Sequence, residues 1–369
     1  MERERAMSRP KMDEAKRDAF AGKMVGVLNG ALLALMTSIG RQTGLFEAMA
    51  ALPPSTSEAI AAAAGLNERY VREWLGAMVT GGIVEFDADQ RTYFLPPEHA
   101  AVLTRAAGAR NMARFMQYVP MLAEVEADVI HSFRRGGGVP YERYPRFQAL
   151  MAESSGLRFD HLLLQKVVPL TGLAQALDRG IDVLDVGCGQ GHASNLLARA
   201  FPRSRFTGYD FSETGVAAAR AEAVALGHAN VHFAARDVAA LGETQAYDLI
   251  TAFDVVHDQA KPRDVLREIA RALRPDGTFL MVDVRASSDL EGNLTHPLGP
   301  FLYGMSTMHC MTVSLALNGA GLGTVWGEQT ALAMLREAGF ASVEVHRLGP
   351  EDPLNNYYVA RKTGEGRAV

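Results

Sequence analysis

The spacing of four residues near the middle of the chain is that of a ligand-binding turn: Asp185, Gly187, Gly189 and Gly191. The apolar run 181–186 predicts a β-strand, and the glycines after it permit backbone conformations that are closed to other residues. A ligand can approach such a main chain closely, which indicates a nucleoside-like ligand. A dinucleotide fingerprint would place its third glycine at position 192, where His192 stands. The spacing therefore favours a different nucleoside ligand.

A second carboxylate, Asp210, follows the next predicted strand, 205–209. It lies roughly 20 residues beyond the glycine turn, where an acidic residue can bond ribose hydroxyls. Phe211 beside it can pack on an adenine ring. Ser212 is a good cap for the predicted helix 212–226, which leaves Asp210 free for the ligand. The alternative role for Asp210 is that of a solvated helix cap.

Strands and helices alternate from residue 181 to residue 284, which predicts a parallel, doubly wound α/β sheet. Its carboxyl edge must hold the ligand. The predicted strands are 181–186, 205–209, 231–235, 247–253, 278–284, 341–347 and 356–361, and the predicted helices are 193–200, 212–226, 262–273 and 328–338. A turn at 274–277 connects the predicted helix 262–273 to the predicted strand 278–284.

The turn resembles the first motif of class I S-adenosylmethionine (SAM) dependent methyltransferases, [D/E]-x-G-x-G-x-G, at Asp185, Gly187, Gly189 and Gly191. The resemblance implies SAM as the cofactor and a Rossmann-like sheet of seven strands. It also implies an acidic residue against the adenine amino group, which is Asp237 here. The cofactor-binding residues that we predict are Asp185, Gly187, Gly189, Gly191, Asp210, Phe211, Asp237, Val238 and Phe253.

His257 follows the predicted strand 247–253 and is the predicted catalytic base. Methyl transfer from SAM to a hydroxyl needs an aligned acceptor and the removal of a proton, and imidazole titrates near physiological pH. The order Val-Val-His-Asp is similar to the Leu-His-Asp segment of plant-type O-methyltransferases, whose histidine acts as base. Residues 259–262 depart from that pattern, so shaping the cofactor pocket stays an alternative role. Asp258 is a predicted substrate contact.

A long insertion, 285–327, separates the last parallel strand from the helix after it. Long segments of this kind are often functional lids, and this one is rich in methionine and aromatic residues, so we predict an acceptor pocket. Its alternative is a packed helical excursion. His309 is a second candidate base, and the predicted substrate contacts are Tyr303, Ser306, Met308 and Trp326. His296, His309 and Cys310 match no zinc spacing, so no metal is predicted. Residues 299–327 resemble a bacterial methyltransferase group with mycobacterial members.

The N-terminal part predicts a winged helix, with helices over 57–64 and 67–80 and a β-hairpin over 83–95. Arg69 and Arg72 on the second helix are offset by neighbouring glutamates, which weakens phosphate attraction and makes nucleic acid an unlikely partner. Small-molecule O-methyltransferases are similar in having such a region, which implies a homodimer whose N-terminal region closes the active site. The predicted domains are a helical winged-helix domain 1–100, a helical connector 101–172 and the SAM domain 173–369.

Bulk composition indicates an intracellular enzyme. The 369 residues are 48% hydrophobic and 21% charged, with a net charge of −5 and two cysteines, which fits a reducing compartment. The first residues carry mixed charges and do not predict a signal peptide. The apolar run 24–40 is short and contains glycine and asparagine, so it predicts a buried helix and no membrane span. We expect a cytoplasmic protein.

The predicted function is SAM-dependent methyl transfer to a small-molecule acceptor, with oxygen preferred over nitrogen or carbon as the acceptor atom. One alternative is a SAM-sensing regulator whose winged helix binds DNA. Another is an enzyme of the same fold that uses SAM for chemistry other than methyl transfer.

Overall fold

The computed structural model describes residues 12–362, which divide into two compact units after Pro120. The first unit contains a helix-turn-helix and a two-stranded wing. Its strands are β1 (Glu85–Asp87) and β2 (Thr92–Phe94), and its helices are Glu14–Thr43, Leu45–Ala51, Ser57–Ala64, Glu68–Thr80, Pro97–Leu103, Arg105–Arg110 and Met112–Phe115, with Tyr118–Ala123 at the boundary.

Local sequence explains the helix-turn-helix. Gly65 ends its first helix in the left-handed conformation, with φ of 66°, and the Asn67 side chain caps the second helix by accepting from the Arg69 backbone N–H. The predicted winged helix is confirmed. Arg72 lies 2.8 Å from Glu68, and Arg69 pairs with Glu73 in the same way. Both arginines of this helix therefore have carboxylate partners on their own helix.

A small apolar core holds the first unit together around Phe46, Leu75 and Met78. Trp74 packs edge-on against Phe46, with ring centroids 5.4 Å apart, and its indole N–H donates to the carbonyl of Met36 at 2.8 Å. These contacts attach the last third of the helix Glu14–Thr43 to the core.

The prediction of a buried helix over 24–40 is wrong for the first part of that run. Residues 12–32 are all exposed, and burial within the unit begins only beyond them. Four apolar side chains recur every fourth residue and so share one helix face, where they are 47 to 62% exposed: Phe20, Met24, Leu28 and Leu32. Composition correctly predicts a helix here. No described residue of this chain covers the apolar face of its exposed part, 12–32. By length and composition alone, this helix is the one in the described chain that meets the requirements of a membrane span.

A seven-stranded sheet in the order β5-β4-β3-β6-β7-β9-β8 organises the second unit. β3 pairs in parallel with β4 and β6, and antiparallel pairing occurs only where β9 meets β7 and β8. The predicted Rossmann-like sheet of seven strands is confirmed. The strands are β3 (Asp182–Val186), β4 (Arg205–Asp210), β5 (Val231–Ala235), β6 (Tyr247–Phe253), β7 (Leu273–Val284), β8 (Ser342–His346) and β9 (Asn355–Arg361).

β7 begins earlier than predicted. Tyr247 is opposite Leu273 and Leu249 is opposite Thr278, so β7 accommodates the predicted turn 274–277 as an irregularity within the strand. The helices of this unit are Glu126–Arg135, Tyr141–Arg143, Phe147–Leu162, Leu163–Val167, Val168–Leu170, Ala174–Arg179, His192–Ala200, Glu213–Leu226, Val238–Ala240, Val256–Asp258, Pro262–Ala272, Leu290–Asn293, Gly299–Met305, Ser306–Cys310, Met311–Ala316, Gly327–Glu337 and Gly349–Glu351. The insertion 285–327 is thus largely helical.

Both faces of the sheet are covered, as parallel strands require. Consecutive strand residues point to opposite faces, so Leu184 and Ile250 join one apolar cluster while Val183 and Leu249 join the other. Phe159 of the helix Phe147–Leu162 packs in the second cluster. The carboxyl edge, where β3 and β6 meet, is left for polar residues.

Candidate active site

The glycine turn joins β3 to the helix His192–Ala200, and all three of its glycines have positive φ. A Cβ on Gly187 would lie 2.2 Å from Val255, and one on Gly191 would lie 2.5 Å from Ala219. A Cβ on Gly189 would meet nothing within 4 Å. Gly187 and Gly191 are therefore required by packing, whereas Gly189 presents open main chain to a ligand.

This difference predicts unequal costs of substitution. We expect Gly191→Ala to lower the free energy of unfolding by about 2–4 kcal/mol, because the added methyl group clashes with Ala219 and the positive φ is strained. Gly189→Ala incurs only the conformational cost, about 1–2 kcal/mol. Chemical denaturation of both variants measures the two values. Equal losses would contradict the assignment of Gly189 as the open position.

Asp210, at the end of β4, is hydrogen-bonded to the glycine turn. One carboxylate oxygen accepts from the Gly189 backbone N–H and the other from the Ser212 N–H, each at 2.8 Å. Ser212 caps its helix as predicted, by accepting from Gly215 N–H at 3.1 Å. Burial raises the pKa of Asp210, and these backbone bonds oppose the rise. Both oxygens of Asp210 are thus already hydrogen-bonded, which the sequence does not predict. Each oxygen keeps a further lone pair that can accept from a ligand hydroxyl.

Asp185 faces the interior of the sheet. Its oxygens accept from the hydroxyls of Ser194 and Thr251, both at 2.8 Å. Burial raises the pKa of Asp185 to about 6, and the two hydroxyl bonds limit the rise. Asp185 therefore links β3 to β6 and to the helix after the turn. A direct bond to the ligand stays a prediction.

The other predicted cofactor contacts differ in how exposed their side chains are. Phe211 is 60% exposed beside Asp210. Asp237 accepts from the Ala239 backbone N–H at 2.9 Å and stays exposed. Val238 lies in the apolar core, and the ring of Phe253 packs against Phe159 at 4.9 Å.

His257 is buried between two carboxylates. Its Nδ1 lies 2.8 Å from Oδ1 of Asp283, and its Nε2 lies 3.2 Å from Oδ1 of Asp258. Burial lowers the pKa of His257, but the two carboxylates outweigh it and hold the pKa well above its usual value. The two carboxylates therefore favour the protonated form of His257, which the sequence alone does not predict.

Asp283 is a site residue that the sequence reading missed. It is fully buried near the end of β7, and its Oδ1 also accepts from the Trp326 indole N–H at 3.1 Å. Trp326 was predicted as a substrate contact, but its hydrogen bond places it behind Asp283, which it orients toward His257. The missed signal is an aspartate within the apolar run of a buried strand.

His309 is the neutral histidine of the site. It is fully buried, and neither ring nitrogen has a hydrogen-bond partner among the described residues. Burial lowers the pKa of His309 to about 4, and the charge of His257 acts in the same direction. Three aromatic rings surround His309: it stacks on Phe147 with centroids 3.5 Å apart and meets Tyr144 and Tyr141 edge-on.

Tyr141 is a second residue that the sequence reading missed. Its ring lies edge-on to Phe211 at 5.3 Å, so it connects the predicted adenine contact to the surroundings of His309. Burial raises the pKa of its hydroxyl, and the carboxylates of Asp258 and Asp210 add to the rise. Tyr141 follows the glycine run 136–138, and an aromatic residue soon after such a run was the available signal.

The remaining predicted contacts lie within the insertion. Tyr303 accepts a hydrogen bond from Asn293 at 3.1 Å, Ser306 is buried against Gly323, and the Met308 carbonyl accepts from Tyr144. His296 is not grouped with His309 and Cys310. In the described chain, the metal-ligating atoms that come within 4.8 Å of one another are those of His257, Asp258 and Cys310. Within this group Nε2 of His257 lies 3.2 Å from Oδ1 of Asp258, and the absence of a metal stays a prediction.

Comparison with known proteins identifies two regions of the chain. Residues 177–339 match the family described as a methyltransferase domain. This part of the chain is a methyltransferase domain. Residues 31–105 match the Rv2258c-like winged HTH domain, in agreement with the helix-turn-helix and wing of the first unit.

Part of the chain is similar in sequence to two bacterial O-methyltransferases. It is 33% identical to the fatty-acid O-methyltransferase of Mycolicibacterium smegmatis over 117 residues, 32% of this chain and 42% of that protein. It is 28% identical to the malonyl-[acyl-carrier protein] O-methyltransferase of Bacillus cereus over 145 residues, 39% of this chain and 48% of that protein. The chain thus spans about half the length of these curated relatives.

Solved structures share the fold over nearly the whole chain. Mitomycin 7-O-methyltransferase MmcR has a TM-score of 0.68 at 20% identity, covering 95% of this chain and 100% of its own. The O-methyltransferase NcsB1 from neocarzinostatin biosynthesis, in complex with SAM and 2-hydroxy-5-methyl naphthoic acid, has a TM-score of 0.61 at 18% identity, covering 89% and 96%. At these identities the likeness shows the fold.

The methyltransferase domain has side chains and main chain that suit SAM. The position without a Cβ contact, Gly189, leaves room for a ligand against the turn, and Asp210 beside it keeps lone pairs for ribose hydroxyls. The exposed ring of Phe211 offers a face for adenine. The residues at the carboxyl edge therefore fit this cofactor.

Proposed function

We propose that this protein transfers the methyl group of SAM to a hydroxyl group of a small, apolar or aromatic acceptor. Two features at one edge of one sheet support the proposal. Gly189 and Asp210, which are joined by a hydrogen bond, form an adenosine cradle, and His257 and Asp283 form a buried pair. SAM, when bound, supplies an electrophilic methyl group. The chain must then align the acceptor and accept its proton.

Asp283 and His257 form the proton-accepting pair of the proposed mechanism. Asp283 holds Nδ1 of the imidazole at 2.8 Å, which directs Nε2 toward Asp258. After His257 loses its Nε2 proton, this nitrogen can take the proton of an acceptor hydroxyl, and the new imidazolium is stabilised by Asp283. The indole N–H of Trp326 donates to the Asp283 carboxylate and holds it in this position.

His309 positions the acceptor in the proposed mechanism. Its ring stays neutral at pH 7, so one nitrogen can donate to the acceptor and the other can accept from it. A pKa near 4 makes His309 a weaker proton acceptor than His257. The surrounding rings of Tyr141, Tyr144 and Phe147 favour a flat, apolar acceptor. The aromatic acid bound to the related fold of NcsB1 supports this acceptor class.

Transfer of labelled methyl from SAM tests the proposal. The purified chain is incubated with labelled SAM and separate sets of phenols, quinols, hydroxylated fatty acids and amines. We expect label in a phenol or quinol and a mass gain of one methyl group. Label in amines alone would contradict the oxygen preference. SAM-dependent change without a mass gain would favour another chemistry, and salt-dependent DNA binding without turnover would favour a regulator.

The pH dependence of transfer tests the role of His257. The rate should rise with pH through a pKa well above the usual histidine value, because His257 must be deprotonated to act as a base. Asp283→Asn removes a charge that raises this pKa, so the midpoint should move to lower pH by about 1–3 units. Asp264→Asn, at a half-exposed aspartate that pairs with Arg267, is the control. A midpoint that stays or rises in Asp283→Asn would contradict the proposed pair.

We also propose that the protein is a cytoplasmic homodimer with no nucleic-acid partner. Its two cysteines are free thiols, which suits a reducing compartment. Arg69 and Arg72 have carboxylate partners on their own helix. The exposed stripe Phe20, Met24, Leu28 and Leu32 needs an apolar cover, and a second copy of the same helix supplies a matching one.

Light scattering with size exclusion measures the dimer. We expect twice the chain mass for the wild type and a monomer for Leu28→Glu, because a charge in the stripe opposes its burial. Val224→Glu, at an exposed apolar position of the second unit, should leave the dimer intact. A monomeric wild type would overturn the proposal, and binding of that monomer to lipid vesicles would assign the stripe to a membrane surface.

A further inference from the structure

A buried ion pair lies at the carboxyl edge of the sheet, beside the glycine turn. Arg158, on the helix Phe147–Leu162, donates to Oδ2 of Asp254 at 2.6 Å, directly after β6. The two side chains are only 16% and 12% exposed. The mechanism above uses neither residue.

The pair is incomplete on both sides. Arg158 has five N–H donors, and among the described residues its one hydrogen bond is to Asp254. Oδ1 of Asp254 is buried and has no partner in the described chain. The nearby carboxylate of Asp352 is already engaged by Asn355 and Tyr357, so it does not complete Arg158. Buried charges of this kind are stable when further polar groups satisfy them.

The backbone at Asp254 is also unusual. Its φ is 54°, in the left-handed region that non-glycine residues seldom adopt. Such conformations cluster at ligand sites, where the surrounding structure holds them. Here the conformation places a carboxylate at the end of β6, one residue before Val255, which packs against Gly187 of the turn.

Both members of the pair are held next to that turn. Asp160, two residues beyond Arg158, lies 2.9 Å from His192, the first residue of the helix that follows the turn. Phe159 packs against Phe253, the last residue of β6. The unused guanidinium N–H groups and the unused carboxylate oxygen therefore lie at the ligand edge, with opposite charges side by side.

We propose that Arg158 and Asp254 bind the amino-acid end of SAM, with the guanidinium holding its α-carboxylate and Oδ1 of Asp254 holding its α-ammonium group. A zwitterion with adjacent opposite charges is the ligand that satisfies both unused groups at once. This inference rests on the proposed function. It adds a contact for the end of the cofactor opposite the adenosine cradle of Gly189 and Asp210.

Calorimetry with two ligands separates this role from a structural one. S-adenosylhomocysteine (SAH) contains the amino-acid end, and 5′-methylthioadenosine lacks it. In full-length Arg158→Gln, we expect the affinity for SAH to fall at least about tenfold, because a charge-assisted bond is lost. The affinity for 5′-methylthioadenosine should change by less than about threefold. Arg158→Lys keeps the positive charge but lacks the planar guanidinium that can donate two parallel N–H groups to a carboxylate. We expect this variant to lose an intermediate amount of SAH affinity.

The matched control is Arg205→Gln, which breaks an Arg–Asp pair with Asp182 at the opposite edge of the sheet. It should leave both affinities unchanged. Equal losses for the two ligands in both Arg158 variants, or unchanged SAH affinity in both, would overturn the inference. A wild type that binds neither ligand would overturn the proposed function itself, and the wild-type titration shows this before any variant is measured.

Discussion

Replacing His257 with alanine is expected to reduce methyl transfer by about 10²- to 10⁴-fold, while SAM binds as tightly as before. His257 is hydrogen-bonded to Asp283 and lies 3.2 Å from Asp258. Among the described residues it has no hydrogen bond to the glycine turn, so we expect its removal to impair proton transfer and to leave cofactor binding unchanged. Turnover with labelled SAM and calorimetry with SAH measure the two effects on the same preparation.

The alanine variant leaves the buried carboxylate of Asp283 without its cation, which itself destabilises the fold. His257→Asn is therefore a second variant, because its amide can still donate to Asp283 but cannot accept a proton at neutral pH. We expect the same loss of turnover with a smaller loss of thermal stability. His309→Ala should raise the KM for the acceptor more than it lowers kcat. Unchanged turnover in both His257 variants would move the role to His309 or to no base.

Asp210→Ala is expected to weaken SAM and SAH binding by about 100-fold. The variant loses a carboxylate that can bond ribose hydroxyls, each such bond contributing about 1.5–3 kcal/mol, and it also frees the Gly189 N–H that Asp210 holds at 2.8 Å. Asp210→Asn should lose about tenfold, since it keeps one acceptor oxygen. Calorimetry with SAH measures both variants.

The control is Asp182→Ala, at the start of the neighbouring strand, where Asp182 pairs with Arg205 at the opposite edge. This variant removes a carboxylate of the same type and should retain SAH affinity. If Asp210→Ala binds SAH as well as the wild type does, the ribose assignment is wrong.

Local patterns allowed the sheet and its turn to be predicted. The strand 247–253 was predicted at its observed bounds, and the alternation of strands with helices is enough to specify a parallel sheet. The Gly-x-Gly-x-Gly spacing likewise locates the turn, because positive φ at alternate positions restricts the residue type.

Long-range contacts explain what the sequence did not show. Asp283 lies 26 residues after His257, and their contact arises only because β6 and β7 are neighbours. The protonation of His257 depends on that contact, so residue type alone predicted a neutral imidazole. The helix Glu14–Thr43 was correctly predicted as a helix. An apolar stripe predicts that something covers it, but it does not tell whether the cover comes from the same chain or from another molecule.

Calorimetric titration of the wild-type chain with SAM and SAH tests the central claim most directly. We expect one site per chain for each ligand, and competition between the two, because both contain the adenosine that the turn and Asp210 are placed to hold. No heat change and no competition at ligand concentrations up to the millimolar range, from a chain that unfolds cooperatively, would contradict the assignment of the carboxyl edge as a SAM site.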